Sequence, residues 1–213
     1  AQDHKPVFDG DRGPNTGGMG TYAPLPHIPE SVVREAVERI IKPTAKAMVA
    51  EGRPFRGVLY AGLMVTADGP KVVEFNSRFG DPEAQVVLPL LESDLLDVLL
   101  AVVEGRLDRA DIRWSDKAAV CVIAASAGYP GDYRKGVPIE GIDRVRDAIV
   151  FHAGTARDGD RIVTSGGRVL GVTALGATIA EARAKAYEQL AHIRFDGMHY
   201  RTDIARRALE AAR

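Results

Sequence analysis

The chain has 213 residues, with 28 Lys and Arg against 29 Asp and Glu and a formal net charge of −1. That length allows one or two domains with a sizeable core, since a chain of this size buries roughly 70% of its unfolded surface. The even charge balance argues against nucleic acid or an anionic membrane as the main partner, and no apolar run approaches the roughly 18 residues of a membrane span.

The chain opens AQDHKPVFDG, without an initiating Met and without a secretory apolar region. Such a start is expected of a fragment, a proteolysed product or a renumbered segment of something longer, and the location expected is cytoplasmic. Residues 3–26 read as a long loop in which GPNTGGMG supplies four glycines. Glycines let the backbone take positive φ and approach a ligand, and successive N–H groups there can cradle an anion. The motif is neither a Walker A loop nor a dinucleotide fingerprint. A mobile connection is as good a reading as a binding loop on composition alone, although the length favours function or disorder.

PESVVREAVERIIKPTAKAMVAEG predicts a helix with Val33, Ala36, Val37, Ile40 and Ile41 as its inner stripe, a kink or restart at Pro43 and a stop at Glu51-Gly52. GVLYAGLMVTADGPKVVEFN predicts a hairpin turning at Asp68-Gly69. EAQVVLPLLESDLLDVLLAVVEGRL predicts apolar helix interrupted at Pro89, capped again by Ser93 or Asp94, stopped at Gly105 and sandwiched between layers. A domain boundary is expected near residue 110, giving domains 1–110 and 111–213. Beyond it, residues 118–126 form a buried strand containing the only cysteine, Cys121, expected to be an inert thiol. Residues 148–152, 160–164 and 168–174 predict further strands, the last two joined as a hairpin through Ser165-Gly166-Gly167. Thr178 to Glu181 forms a capping box opening a helix whose inner stripe is Ala182, Ala186, Leu190 and Ile193. Residues 200–203 cap a short helix running through Ala212. Strands followed by helices suggest an α+β module.

The chemistry concentrates in KVVEFNSRFGDPEAQ. On a strand, Lys71, Val73 and Phe75 point one way and Val72, Glu74 and Asn76 the other. A carboxylate and an amide oxygen then lie side by side, the donor type that Mg²⁺ prefers. Arg78 follows as a planar anion fork and Asp81 as a second carboxylate in the Gly80-Asp81-Pro82 turn. An exposed polar strand face with an ordinary turn fits the same spacing about equally well. No two histidines, and no His and Cys, share zinc-ligand spacing, and no nucleophilic-hydrolase motif is present. His152 reads as a structural histidine before a ligand contact. Arg201, Arg206 and Arg207 read as a solvated face, with packing of Arg201-Thr202-Asp203 between domains as the alternative.

QDHK, GPNTGGMG, LYAGLM, EFNSRFGDPEAQ, GYPGDYRKG, HAGT and GGRVLGVTALG occur in that order. Together they closely resemble the C-terminal half of the glycinamide ribonucleotide synthetase family, the phosphoribosylamine–glycine ligases of purine synthesis, within the ATP-grasp superfamily. The resemblance implies an α+β chain: the C-terminal lobe of an ATP-grasp fold, then a small domain like that of biotin carboxylase. It implies ATP, glycine and 5-phosphoribosylamine as substrates and Mg²⁺ or Mn²⁺ held by Glu74 and Asn76 against the ATP phosphates. Arg78 and Asp81 become the catalytic candidates, with Arg78 orienting the acyl phosphate or the glycine carboxylate. Asp9, Asn15, Gly17, Gly18, Met19 and Gly20 become the wall of the glycine and phosphoribosylamine pocket. Two departures matter. Leu59 to Met64 lacks the acid that many ATP-grasp enzymes carry there, so water or substrate oxygens must complete the metal shell. The family's N-terminal half, with the phosphate-gripping lid and most adenine contacts, would precede Ala1, so the chain alone is expected neither to bind ATP well nor to turn over. A monomer or weak dimer is expected, with that missing half as a further candidate partner.

Overall fold

A computed structural model of the chain describes residues 1–211. The elements in chain order are β1 (Gln2–Asp3), β2 (Pro6–Phe8), β3 (Arg12–Asn15), β4 (Gly20–Ala23), α1 (Glu30–Ala36), α2 (Lys42–Ala50), β5 (Tyr60–Thr66), β6 (Gly69–Asn76), α3 (Ala84–Val87) and α4 (Leu95–Glu104). Then follow β7 (Ala118–Ala125), β8 (Ile149–His152), β9 (Thr155–Asp158), β10 (Arg161–Thr164), β11 (Arg168–Gly176), α5 (Ile179–Leu190) and α6 (Arg206–Ala211). The chain is thus mixed α+β. Its described residues form two compact units: one of Ala1–Leu25, Asp81–Leu90 and Ser115 onward, the other of Pro26–Gly80 and Leu91–Trp114.

The first unit is built on an antiparallel sheet of order β1-β4-β7-β11-β8. Every residue of β7 is buried, because both faces of the sheet are covered. Val120, Val122 and Ala124 join Ala182, Ala186 and Leu190 of α5 in the larger core. Ala119, Cys121 and Ile123 point to the opposite face and meet Val86 and Leu90. The period of two along the strand therefore explains why its sequence is one unbroken apolar run. Burial pushes the Cys121 thiol up to about 12, leaving an inert core residue. In α5 the Thr178 hydroxyl accepts from Glu181 N–H at 3.2 Å, and the expected inner stripe is buried.

Three expectations for this unit are corrected. The N-terminal segment is not a loop: β1 to β4 lie within it, because its alternating residues find partners in each other and in β7. The turn at residues 165–167 does not join a hairpin: β10 pairs with β9 across the two-residue turn Gly159-Asp160, while β11 pairs with β7 and β8. Arg201 is no solvated residue: it is 1% exposed, and donates to Pro6 O at 3.1 Å, Asp11 at 3.0 Å and both oxygens of Asp203 at 2.7 and 2.8 Å. Arg206 and Arg207 do lie at the surface. The expected end of the last helix at Ala212 lies outside the described residues.

In the second unit, α1 and α2 are joined by a π-helical stretch, Val37–Ile41, which ends two residues before Pro43. Proline has no N–H and crowds the preceding carbonyl, and the wider turn accommodates it. Of the expected inner stripe only Ala36 is buried, while Val33 and Val37 are exposed. Strands β5 and β6 form the expected hairpin, with Ala67 and Asp68 as loop residues between the paired Thr66 and Gly69. Asp94 caps α4, its carboxylate accepting from Leu96 N–H at 2.8 Å, and Gly105 ends the helix in the left-handed region at φ 69. The expected sandwiching of α4 is corrected: Leu96, Leu99, Leu100 and Val103 are exposed.

Candidate functional site

The candidate metal pair lies on β6 in the second unit. Asn76 pairs with Tyr60, and Glu74 with Gly62, but Leu63 then pairs with Val72, so Val73 is an extra residue on β6. The alternation expected from Lys71 to Asn76 is interrupted at that bulge. Glu74 and Asn76 lie on the same side of it, two residues apart, and keep a common face. Gly62 opens the space opposite: a Cβ there would stand 3.1 Å from Glu74 Cγ. Neither the Glu74 carboxylate nor the Asn76 amide is engaged with another described residue, so their oxygens are available to a ligand. Among the described residues no group of three or more His, Cys, Asp or Glu could hold a metal. The pair therefore fits a divalent ion only as two ligands of a shell completed by water or phosphate oxygens, which is usual for Mg²⁺. Arg78 is exposed and donates from Nη1 to Phe79 O at 2.8 Å, leaving most of its fork uncommitted.

Asp81 belongs to the first unit, where it meets the glycine-rich segment. Arg168 Nη1 donates to Gly17 O at 2.9 Å and to Asp81 O at 3.0 Å, and Nη2 to Asp81 Oδ2 at 3.0 Å. Gln85 holds the other Asp81 oxygen at 3.0 Å. Gly17 N–H donates to the Tyr129 hydroxyl at 2.9 Å, and Thr21 Oγ1 donates to Pro82 O at 3.0 Å. Residues from GPNTGGMG, GDPE, GYPG and GGR thus converge on one cluster. Gly18, at φ 119, could carry no side chain there: a Cβ would fall on Asp3 Oδ1 and Pro82 Cδ. The Asp3 side chain is 7% exposed with Lys5 Nζ at 2.8 Å. Burial, partly offset by that lysine, pushes its carboxyl up to about 6.

The remaining substrate candidates separate. Asn15 is exposed at the end of β3. Both Asp9 oxygens are taken by Thr202, through its N–H at 2.8 Å and its hydroxyl, so that carboxylate serves the fold first. The Met19 side chain is fully buried with Val7 and Ala125, because an apolar side chain between strands gains more in the core than against water. Gly20 is likewise buried within β4, with its carbonyl accepting from His4 N–H at 3.0 Å. His152 pairs through Nδ1 with Thr155 Oγ1 at 3.0 Å, as a structural histidine would. Arg168, Tyr129 and Asp3 were not singled out from sequence. Arg168 and Tyr129 lie in motifs that carried the resemblance, GGRVLGVTALG and GYPGDYRKG, but no local spacing marks them.

In fold, the chain resembles Kluyveromyces lactis urea carboxylase, which superposes with a TM-score of 0.59 at 14% identity, over 92% of this chain and 17% of that one. A solved phosphoribosylamine–glycine ligase from Thermotoga maritima matches with a TM-score of 0.86 and 38% identity, over 96% of this chain and 50% of that one. Phosphoribosylamine–glycine ligase of Caldanaerobacter subterraneus subsp. tengcongensis is 54% identical over 205 residues, 96% of this chain and 49% of that protein. The family model for the ATP-grasp (A) domain of phosphoribosylglycinamide synthetase matches residues 1–84, and that for its C domain residues 119–207. The chain belongs to the phosphoribosylglycinamide synthetase family. It spans about half the length of the curated relatives it matches.

Proposed function

We propose that this chain is the metal-holding, C-terminal half of an ATP-dependent ligase that joins glycine to 5-phosphoribosylamine. The observation that carries the reading is the pair of uncommitted oxygen donors, Glu74 and Asn76, on one face of β6 in a chain of this family. The γ-phosphoryl group of ATP passes to a glycine carboxylate oxygen, releasing ADP. The amine nitrogen of phosphoribosylamine then attacks the acyl carbon of glycyl phosphate and loses a proton as the carbon–oxygen bond to phosphate breaks, giving glycinamide ribonucleotide. Mg²⁺ or Mn²⁺, when bound, supplies charge neutralisation at the phosphoryl oxygens. Glu74 and Asn76 are the residues that would hold it. Arg78 presents a planar fork to a carboxylate or acyl phosphate. Asp81, tied to Arg168 and Gln85, acts in this reading by holding its turn in place, and Asn15 with the backbone of Gly17 and Gly18 contributes to the substrate-facing surface.

The division near residue 110 is proposed as the boundary between two family modules, since it falls in the stretch that neither family model matches. A cytoplasmic setting, with small molecules and no nucleic acid as partners, belongs to the same proposal. Because the chain spans about half of its relatives' length, a second reading is a half that folds but does not turn over alone. The test is glycine-dependent ADP release by this chain alone and mixed with the part of the Caldanaerobacter relative that it does not match. Turnover is expected in the mixture and not in the chain alone, and Glu74→Gln should lower it at least about 100-fold, the scale of lost electrostatic stabilisation at a charged transition state. Release driven by another carboxylic acid and not by glycine would point to a different carboxylate–amine ligase. A mixture indifferent to Glu74→Gln would remove the metal assignment.

A further inference from the structure

The backbone N–H groups of the glycine-rich loop are spent inside the fold. Thr16 N–H donates to Lys5 O at 2.7 Å, Gly17 N–H to the Tyr129 hydroxyl at 2.9 Å, Gly18 N–H to Thr16 Oγ1 at 2.9 Å and Met19 N–H to His4 O at 2.9 Å. An anion nest needs free N–H groups, so the cradle that four glycines suggest is not built here. Glycine is required at residue 17 for another reason. Its φ is not positive, but a Cβ there would stand 2.9 Å from Arg168 Cζ and 3.1 Å from Nε, so the guanidinium lies against the bare Cα. The same guanidinium takes the Gly17 carbonyl, and its two terminal nitrogens reach the Asp81 carbonyl and carboxylate. Tyr129 is seated just as closely. Its ring covers Gly167, where a Cβ would fall 2.1 Å from Cδ2, and Gly167 O accepts from Ser126 N–H at 2.8 Å just after β7.

We infer that Tyr129 and Arg168 are positioning residues for the substrate-facing loop: one fixes Gly17 by its N–H, the other by its carbonyl, and Arg168 sets that residue against the Asp81-Pro82 turn. The inference rests on the ligase reading for its kinetic consequence and on the hydrogen bonds alone for the hold on Gly17. Both side chains come from the C-terminal part of the chain, Tyr129 from the GYPG segment and Arg168 from the start of β11. An arginine suits the place because its planar fork holds a carbonyl and a carboxylate at once, which the point charge of a lysine does not. The Asp81 carboxylate neutralises it, so the pair orders the loop without offering net charge to a substrate. The groups left for a substrate flank Gly17: the Asn15 side-chain amide and the Gly18 carbonyl, neither bonded to another described residue. Their placement follows from how Gly17 is gripped.

The test has two arms. In the first, Tyr129→Phe keeps the ring on Gly167 and removes the acceptor of Gly17 N–H. Amide exchange of this chain, read by NMR, should speed up about tenfold at Gly17, the scale of one hydrogen bond, and stay unchanged along β7. Unchanged protection at Gly17, or protection lost along β7 as well, overturns the inference. The second arm measures glycine-dependent ADP release in the mixture with the unmatched part of the Caldanaerobacter relative. Tyr129→Phe and Gly17→Ala, which pushes the guanidinium off its seat, should each raise the KM for glycine or phosphoribosylamine at least about fivefold and leave that for ATP unchanged. Arg168→Lys should behave like Arg168→Met, and added guanidinium ion should restore part of the loss in Arg168→Met and none in Tyr129→Phe. Arg161→Ala, at an exposed position on β10, should change none of these values. A fall in kcat alone, as instability produces, or full rescue by Arg168→Lys overturns the positioning role. If the wild-type mixture releases no ADP, the ligase reading falls and the exchange arm still decides the hold on Gly17. If it turns over and these variants shift no KM, the ligase reading stands and the inference falls.

Discussion

A carboxylate whose side chain is 7% exposed is difficult to ionise even with a lysine beside it, and Asp3 is such a group. Its carboxyl is pushed from 3.8 up to about 6, so the native state binds its proton more tightly than the unfolded chain does. The associated stability is fully present below about pH 4 and is lost as pH rises through about 6. Asp3→Asn removes the charge, and should stabilise the chain at pH 7–8 by up to about 3 kcal/mol, the equivalent of roughly two units of pKa. Urea denaturation should show that gain shrinking to nothing near pH 4. A gain independent of pH would mean that the carboxylate carries no ionisation penalty. The importance of Asp3 and Arg168 could not be read from local pattern. Arg168 meets Gly17 across 151 positions and Asp81 across 87, distances over which no spacing rule operates. Proposing Glu74, Asn76 and Arg78 needed only five consecutive residues and the strand pleat.

Elements announced by their own ends were the ones visible in the sequence. Asp94, Gly105 and Thr178 punctuate α4 and α5, and each holds the expected cap position. Asp94→Ala leaves the Leu96 N–H without its acceptor and should lower the stability of the second unit by about 1 kcal/mol. Loss of amide-exchange protection confined to the first turn of α4 would accompany it. Unchanged protection there would show that packing, not the cap, begins the helix. The buried strand β7 was equally plain, because two covered faces demand an apolar residue at every position. The N-terminal strands were hidden for the opposite reason. They are two to four residues long and interleaved with glycines, and their ladder partners include β7, about a hundred residues away. The hairpin of β9 and β10 escaped because Ser165-Gly166-Gly167 offered a more conspicuous turn than Gly159-Asp160. Turn chemistry ranks such alternatives, but strand pairing decides between them.

At the scale of the whole chain, the proposed module boundary near residue 110 and the folding boundary need not coincide, and the first unit argues that they do not. Its sheet runs from β1 and β4 through β7 to β11 and β8, and residues 81–90 cover the face bearing Ala119, Cys121 and Ile123. The C-terminal segment closes on the N-terminal ribbon. Arg201 reaches Pro6 and Asp11, Thr202 holds Asp9, and Gly10 N–H donates to Asp203 at 2.8 Å. Desolvation alone would raise the Asp203 carboxyl, but its bonds to Arg201 and Gly10 outweigh that and hold it well below the usual carboxylate range. A fragment of residues 111–213 would keep the buried guanidinium but lose Asp11. Arg201 would still hold Asp203, so the larger loss is the bared edge of β7, stripped of its β4 partner. Such a fragment should bind a hydrophobic dye and unfold at markedly lower urea than the full chain, without a sharp transition. A fragment made of residues 1–25 joined to 81–90 and 115–213 by short linkers should instead unfold cooperatively. Cooperative unfolding of 111–213 at the midpoint of the full chain would show that the N-terminal strands merely decorate a self-sufficient domain, and the division by family module would then also be the division by folding.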